Sequence, residues 1–402
     1  MLGLISAVAA ILFSGPAQAV CPFGPTVRRI VSCRDGVPTA VCRQVAAKAG
    51  CEVVRELEII NAIVIEIAEP ATGPSEARLK AAPEVERFDP DLRLNWLKGS
   101  TLGEFRLPAA SDILSHEKLP PATRPAAPAA DPELPWGVRR VNAPAAWART
   151  QGDGVRVAVI DTGIDSDHPE LRGAVAGGWN AVDPKNRDSY KDDQGHGTHV
   201  AGTIAAAKNG AGVVGVAPKA KLFAVKVLDA DGNGSFSDVI AGIDWCAKNR
   251  IQVANMSLGA DEGSEPLRKA VAKATQAGVA IVAAAGNSGG PVSFPGSYPE
   301  AIAVSASDSS DKLAEFSSRG PQVALIAPGV AIKSLAPGGG YATHDGTSMA
   351  APHVAGLAAL AVASGAKTPQ AVRAALLNAA TPLPGLTPVQ QGKGLVDAAK
   401  IR

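Results

Sequence analysis

Residues 157–163 read Val157-Ala158-Val159-Ile160-Asp161-Thr162-Gly163. Four consecutive apolar residues, three of them β-branched, are what a parallel strand covered on both faces requires. The run ends on a carboxylate and a glycine, so a loop begins where the strand stops. The theme returns at Leu222–Val227, Val253–Ser257, Ala280–Ala285 and Ala301–Ala306, with helical stretches between them. Residues 131–402 therefore read as an α/β domain with a doubly wound, mostly parallel sheet. In such sheets chemistry collects where the carboxyl ends of strands meet helix N-termini.

Composition sets outer limits. The chain has 402 residues, 46% hydrophobic and 19% charged, which fits a globular protein and excludes a collagen-like or mostly disordered one. A net charge of +1 gives no footprint for electrostatic capture of nucleic acid or an anionic membrane. No apolar run reaches the roughly 18–20 residues that span a bilayer, so no membrane anchor is expected.

Leu2 to Phe13 is mostly apolar and is followed by Gly15, Pro16 and Ala17-Gln18-Ala19. This reads as a secretory signal peptide over 1–19 and an exported protein, although no Lys or Arg precedes the apolar stretch; a short core helix is the rival reading. Cys21, Cys33, Cys42 and Cys51 crowd the region that follows. In an exported chain they read as two disulfides whose pairing is open. Zinc is the alternative, but their spacing contains no Cys-x-x-Cys. Cys246 lies in a helical run beside Trp245 and reads as a buried, inert thiol.

Residues 20–95 alternate strand-like and helix-like stretches. Strands are expected at Val27–Val31, Val53–Ile60, Ala62–Ile67 and Val85–Leu94, with helices at Val41–Ala49 and Pro74–Ala82. The order β-α-β-β-α-β predicts a small ferredoxin-like α+β domain. Residues 96–130 include the Pro/Ala-rich run from Leu119 to Pro128 and read as a stiff, extended linker.

Three motifs of the larger domain carry chemistry. Asp161 ends the first buried strand. His196 opens a helix in Gly195-His196-Gly197-Thr198-His199. Ser348 opens another in Gly346-Thr347-Ser348-Met349-Ala350. Singly, Asp161 would serve as a turn residue, Ser348 as a helix cap, and His196 with His199 as half of a metal site. The metal reading lacks the Glu of His-Glu-x-x-His. A lipase-type elbow needs Gly-x-Ser-x-Gly, and Ala350 holds its last place. Together, an Asp, a His and a Ser on rigid element edges are the parts of a nucleophilic triad.

In this order and context, residues 131–402 resemble the subtilisin-like serine peptidases. The resemblance implies that Asp161 orients the base, that His196 is general base and acid, and that Ser348 is the nucleophile, leaving His199 to packing. Ala283-Ala284-Ala285-Gly286-Asn287 closes a buried strand, and Asn287 matches the family's oxyanion donor. Ser257-Leu258-Gly259 and Gly232–Phe236, with Gly234 at its centre, resemble the two edges between which an extended polypeptide substrate adds as a strand. Ser293 stands where many relatives have Gly at a pocket floor, which implies a shallower pocket that disfavours large aromatic side chains.

No cofactor is expected for the chemistry. Asp229-x-Asp231-x-Asn233-Gly234 mimics the start of an EF-hand, but its twelfth position is Ile240. By resemblance, a structural calcium would sit at the loop 207–213 with Asn209 and Glu170 as side-chain ligands. Asp183–Asp193 reads as a solvated loop, with a further ion as the alternative. The N-terminal domain resembles the inhibitory propeptides of the family, implying a monomeric zymogen held by its own propeptide and matured by cleavage within 96–131. A separate binding module is the alternative for that domain.

Overall fold

The computed structural model describes residues 26–98, 100–104 and 134–402. The signal-peptide reading of 1–19, Cys21 and most of the linker reading lie outside these residues.

The N-terminal unit runs β1 (Thr26–Cys33), α1 (Thr39–Lys48), β2 (Glu52–Leu57), β3 (Ala62–Ala68), α2 (Thr72–Ala81) and β4 (Val85–Pro90). Its antiparallel sheet has the order β2-β3-β1-β4, the expected ferredoxin-like arrangement. The period of two along its strands sorts the side chains between two cores. Val31, Ile63, Ile65 and Ile67 pack under α1 and α2. Ile30, Leu57 and Val64 face the opposite way, against the larger domain.

Beyond Pro90 the expected strand over Val85–Leu94 is two. β4 stays in the first sheet, while β5 (Leu92–Asn95) leaves it. The break falls at Asp91, which is 1% exposed and held by the N–H and hydroxyl of Ser237 in the larger domain. Ser100–Glu104, inside the stretch read as linker, is a strand, β6, paired with β5. Likewise, the strand expected over Val53–Ile60 ends at Leu57, and a 3₁₀ turn takes Glu58–Ile60.

The larger domain opens with two short helices, α3 (Trp136–Arg140) and α4 (Ala143–Ala146). It continues with β7 (Arg156–Asp161), β8 (Val175–Asn180), α5 (His196–Ala205), β9 (Lys221–Lys226), β10 (Asn233–Ser235) and α6 (Phe236–Lys248). Next come β11 (Val253–Met256), α7 (Glu265–Gln276), β12 (Ala280–Ala284), β13 (Ile302–Ser307) and β14 (Val323–Pro328). The hairpin of β15 (Ile332–Ala336) and β16 (Gly340–His344) leads into α8 (Thr347–Ala363) and α9 (Pro369–Ala379). β17 (Ala380–Thr381), α10 (Pro388–Gln391) and β18 (Leu395–Val396) close the chain.

Nine strands form one sheet in the order β17-β18-β14-β13-β12-β11-β7-β9-β8, parallel except for the β17–β18 pair. Val157 and Val159 of β7 pack with α5 and α8 on one face; Ala158 and Ile160 pack with α6 and α7 on the other. The unbroken apolar run of β7 is thus explained by cover on both sides. The N-terminal sheet lies on the α6–α7 side, joining the same apolar cluster through Ile30, Leu57, Ile60 and Val64. Among the described residues no helix is long and apolar enough to cross a membrane.

Candidate active site

β7 delivers Asp161 to the carboxyl end of the sheet, fully buried. There the backbone turns through Gly163 at φ +111°, and α5 comes down on the turn. A Cβ on Gly197 would lie 2.1 Å from the Gly163 carbonyl oxygen, so only glycine permits this approach. Gly197 N–H donates to Thr162 Oγ1 at 3.0 Å and fixes the same contact. His196, the first residue of α5, then donates from Nδ1 to Asp161 at 2.8 Å (Oδ1) and 3.0 Å (Oδ2). Burial disfavours a protonated His196, but the charge and hydrogen bond of Asp161, with a smaller push from Asp192, outweigh it and hold its pKa above the ordinary imidazole value.

Two neighbours support this pair, and neither was singled out in the sequence. Asp192 is 4% exposed and accepts from Thr162 Oγ1 at 2.9 Å and from Thr198 N–H and Oγ1 at 2.8 and 2.6 Å. It caps α5 and ties the helix to the turn after β7. Lys226, also 4% exposed, donates to the carbonyls of Thr162 and Leu228 and to Asp193. The end of the Asp183–Asp193 loop is therefore structural scaffolding rather than a solvated run. The sequence signal was an Asp four residues before a helix-opening His, a spacing suited to a cap.

Ser348 is the second residue of α8, where its N–H has no partner within the helix. Its hydroxyl donates to the carbonyl of Ser257 at 3.2 Å. In return Ser257 Oγ donates to the Ser348 carbonyl at 2.7 Å and accepts from Asn255 Nδ2 at 2.9 Å. Asn287 lies beside them. Its Oδ1 accepts from Thr347 N–H at 2.9 Å and Thr347 Oγ1 at 2.8 Å. With the oxygen engaged, the amide NH₂ remains as the donor facing outward. Asn287, Thr347 and Ser348 line one cavity of about 280 Å³ with Leu258, Gly259 and Ser293.

His199 is fully buried; its Nε2 donates to the Ile332 carbonyl at 3.0 Å. Burial first, then the nearby His344 and His196, depress its pKa to about 3, so it is a neutral packing residue.

The two segments expected as substrate edges pair with the chain itself. β5 pairs antiparallel with β10, Leu94 opposite Gly234 and Asn95 opposite Asn233. Trp96 N–H donates to Gly232 O, and Gly259 N–H donates to Trp96 O, both at 3.0 Å. The Trp96 indole N–H reaches Gly234 O at 2.9 Å, and its ring meets Phe236 edge-on at 5.1 Å. No signal in the sequence announced that residues 93–96 would pair with these two segments, because nothing local marks a Trp at a presumed linker boundary for such a contact.

Glu170 reaches the 207–213 loop, where its oxygens and that of Asn209 accept from the chain itself. Glu170 is 2% exposed; one oxygen accepts Val213 N–H at 3.0 Å and the other the Tyr341 phenol. Asn209 Oδ1 accepts Ala211 N–H at 3.0 Å. Among the described residues no group of three or more His, Cys, Asp or Glu converges. Calcium takes about six to eight oxygens, main-chain carbonyls included, and the side-chain oxygens of Glu170 and Asn209 already accept from the chain itself.

Of the cysteines, Cys33 and Cys42 form a disulfide joining β1 to α1; Cys51 and Cys246 are free and buried. Burial pushes both free thiols up in pKa, most strongly Cys246, which fits an inert role.

Residues 152–395 match the subtilase family. The chain is 49% identical over 268 residues to alkaline elastase YaB of Bacillus sp. (strain YaB), covering 66% of this chain and 69% of that protein. It is 50% identical over 233 residues to subtilisin E of Bacillus subtilis (strain 168), covering 56% of this chain and 60% of that protein. It is 49% identical over 268 residues to subtilisin Savinase of Lederbergia lenta, 66% of this chain and 97% of that protein.

Proposed function

The chain belongs to the subtilase family of serine endopeptidases, and on that premise we propose that it is an exported peptidase made as a zymogen and cutting extended polypeptides through an acyl-enzyme. The observation that carries the reading is the bidentate approach of Asp161 to His196 Nδ1. It leaves Nε2 of the neutral ring as the acceptor for a proton.

In the proposed reaction Ser348 Oγ leaves the Ser257 carbonyl and passes its proton to His196 Nε2 as it attacks the scissile carbonyl carbon. The carbonyl oxygen becomes an oxyanion, met by the Asn287 amide and the Ser348 N–H at the start of α8. His196 gives the proton to the departing amine, the C–N bond breaks, and the acyl group stays on Ser348. Water, deprotonated by His196, attacks the ester and releases the acid with Ser348 reprotonated. Asp161 stays ionised and stabilises the imidazolium. Side chains supply every proton movement.

The N-terminal unit is the proposed inhibitor. It lays a strand where substrate would lie, and it grips the larger domain by charge. Arg55 donates to Asp238 at 2.7 Å and to the carbonyls of Ser237 and Ala181 at 3.0 and 2.7 Å. Export of the chain is part of the same proposal, supported by the relatives' family and by a disulfide in the unit that would be discarded.

Replacing Ser348 by Ala tests the reading. The variant should accumulate as an uncut chain without activity on an unfolded protein. A variant that still hydrolyses protein at the normal rate would refute the triad.

A further inference from the structure

The cavity beside Ser348 is small and lined by few charged residues. Its volume of about 280 Å³ lies just under the ~300 Å³ lower end of small-molecule sites, room for one side chain. Ser293 presses on the glycines opposite: a Cβ on Gly259 would lie 2.5 Å from Ser293 Oγ, and one on Gly286 would lie 2.8 Å from it. Ser293 thus packs directly on both glycine backbones, and its side chain takes volume that a glycine in its place would leave to substrate. The Ser293 hydroxyl donates to the Ala285 carbonyl at 3.2 Å, which leaves its lone pairs free to accept.

Among the described residues lining the cavity, two carry charge: Lys98 and Asp261. Lys98 belongs to the N-terminal segment that fills the cleft. Asp261 belongs to the peptidase domain, is exposed, and takes part in no ion pair or hydrogen bond with a described residue. When the N-terminal unit departs, Asp261 is left as the single charged group on the lining.

We propose that Asp261 makes this cavity select a long, unbranched cationic side chain, lysine or arginine, at the residue whose carbonyl Ser348 attacks. The inference rests on the peptidase reading and names its substrate class. An ammonium or guanidinium entering the cavity would find a hydroxyl acceptor in Ser293 and a carboxylate in Asp261, its alkyl stem beside Leu258 and Gly259.

The test uses active enzyme matured from the full chain and three peptides that differ only at the cleaved residue: Lys, Met and Phe. Met matches the length of Lys without charge. Wild type should give a higher kcat/KM for Lys than for Met, with Phe last. Asp261→Asn should lower the Lys-to-Met ratio about two- to five-fold, the reach of a solvent-exposed ion pair, and added salt should lower the wild-type ratio similarly. Ser293→Gly should raise Phe relative to Met. A Lys-to-Met ratio unmoved by both Asp261→Asn and salt overturns the proposal while leaving the peptidase reading intact. Failure of wild type to cut any of the three, or an unfolded protein, overturns the peptidase reading and this one with it.

Discussion

Asp91 of the N-terminal unit caps helix α6 of the peptidase domain through Ser237. One carboxylate oxygen accepts the Ser237 N–H at 2.8 Å and the other its hydroxyl at 2.7 Å. Arg28 stands 3.4 Å from the same carboxylate, so the cap is charge-compensated although fully buried. Burial first, and the nearby Asp238, raise the Asp91 pKa; Arg28 and the Ser237 bonds oppose them. One side chain thereby ends β4, sends β5 toward the cleft, and satisfies an open helix end in another domain.

Asp91→Ala, placed in the inactive Ser348→Ala chain, should destabilise the joined state by about 0.5–2 kcal/mol, the range for losing a helix cap. Urea unfolding followed by Trp fluorescence would read this. An unchanged midpoint would show that the cap contributes nothing to docking.

Trp96→Ala should weaken latency. The ring is 1% exposed against Phe236, and burying so large a side chain is worth about 3–5 kcal/mol by truncation to Ala. Otherwise wild-type full-length chain should then show a shorter lag before peptide hydrolysis begins. An equal lag would mean that Trp96 does not hold the inhibitor in place.

Activity should fall as pH drops through the His196 pKa. Because Asp161 raises that pKa, the acid limb of kcat/KM should lie above the unperturbed value of about 6.5. The sign for stability is the reverse: the pair stabilises the fold fully below the unfolded pKa, and that share is lost as pH rises through the folded one. Asp161→Asn should move the limb to lower pH while reducing the rate. A limb that stays where it was would contradict the coupling.

Asn287→Ala should lower kcat by about 10²–10³-fold, a magnitude established for such a donor in a subtilisin. KM should change little, because the amide meets charge that exists only in the transition state. A loss confined to KM would assign Asn287 to substrate binding instead.

Reduction of Cys33–Cys42 should weaken the N-terminal unit selectively. A closed loop this short is worth about 2–3 kcal/mol. Thiol treatment of the Ser348→Ala chain should lower the melting of that unit before that of the large domain, read by calorimetry. Coincident, unshifted transitions would remove the disulfide from the account.

The sequence by itself determined the sheet and the identities at its edge. A run such as Val157–Ile160 has only one comfortable home, between two helical layers, and Asp161, His196, Asn287 and Ser348 each sit where an apolar or helical run begins or ends. The succession of strand-like and helix-like stretches likewise predicted the ferredoxin-like order of the N-terminal unit. Only the tertiary structure decided what fills the cleft, that Asp192 and Lys226 brace the base, that Glu170 spends its oxygens on Val213 and Tyr341, and that β4 and β5 part at Asp91. The reason is physical. Local periodicity reports which side of an element is apolar, because that depends on neighbours three or four residues away. A buried carboxylate's partner depends on which distant donors the packed chain brings within 3 Å, and no pattern along the sequence encodes that distance.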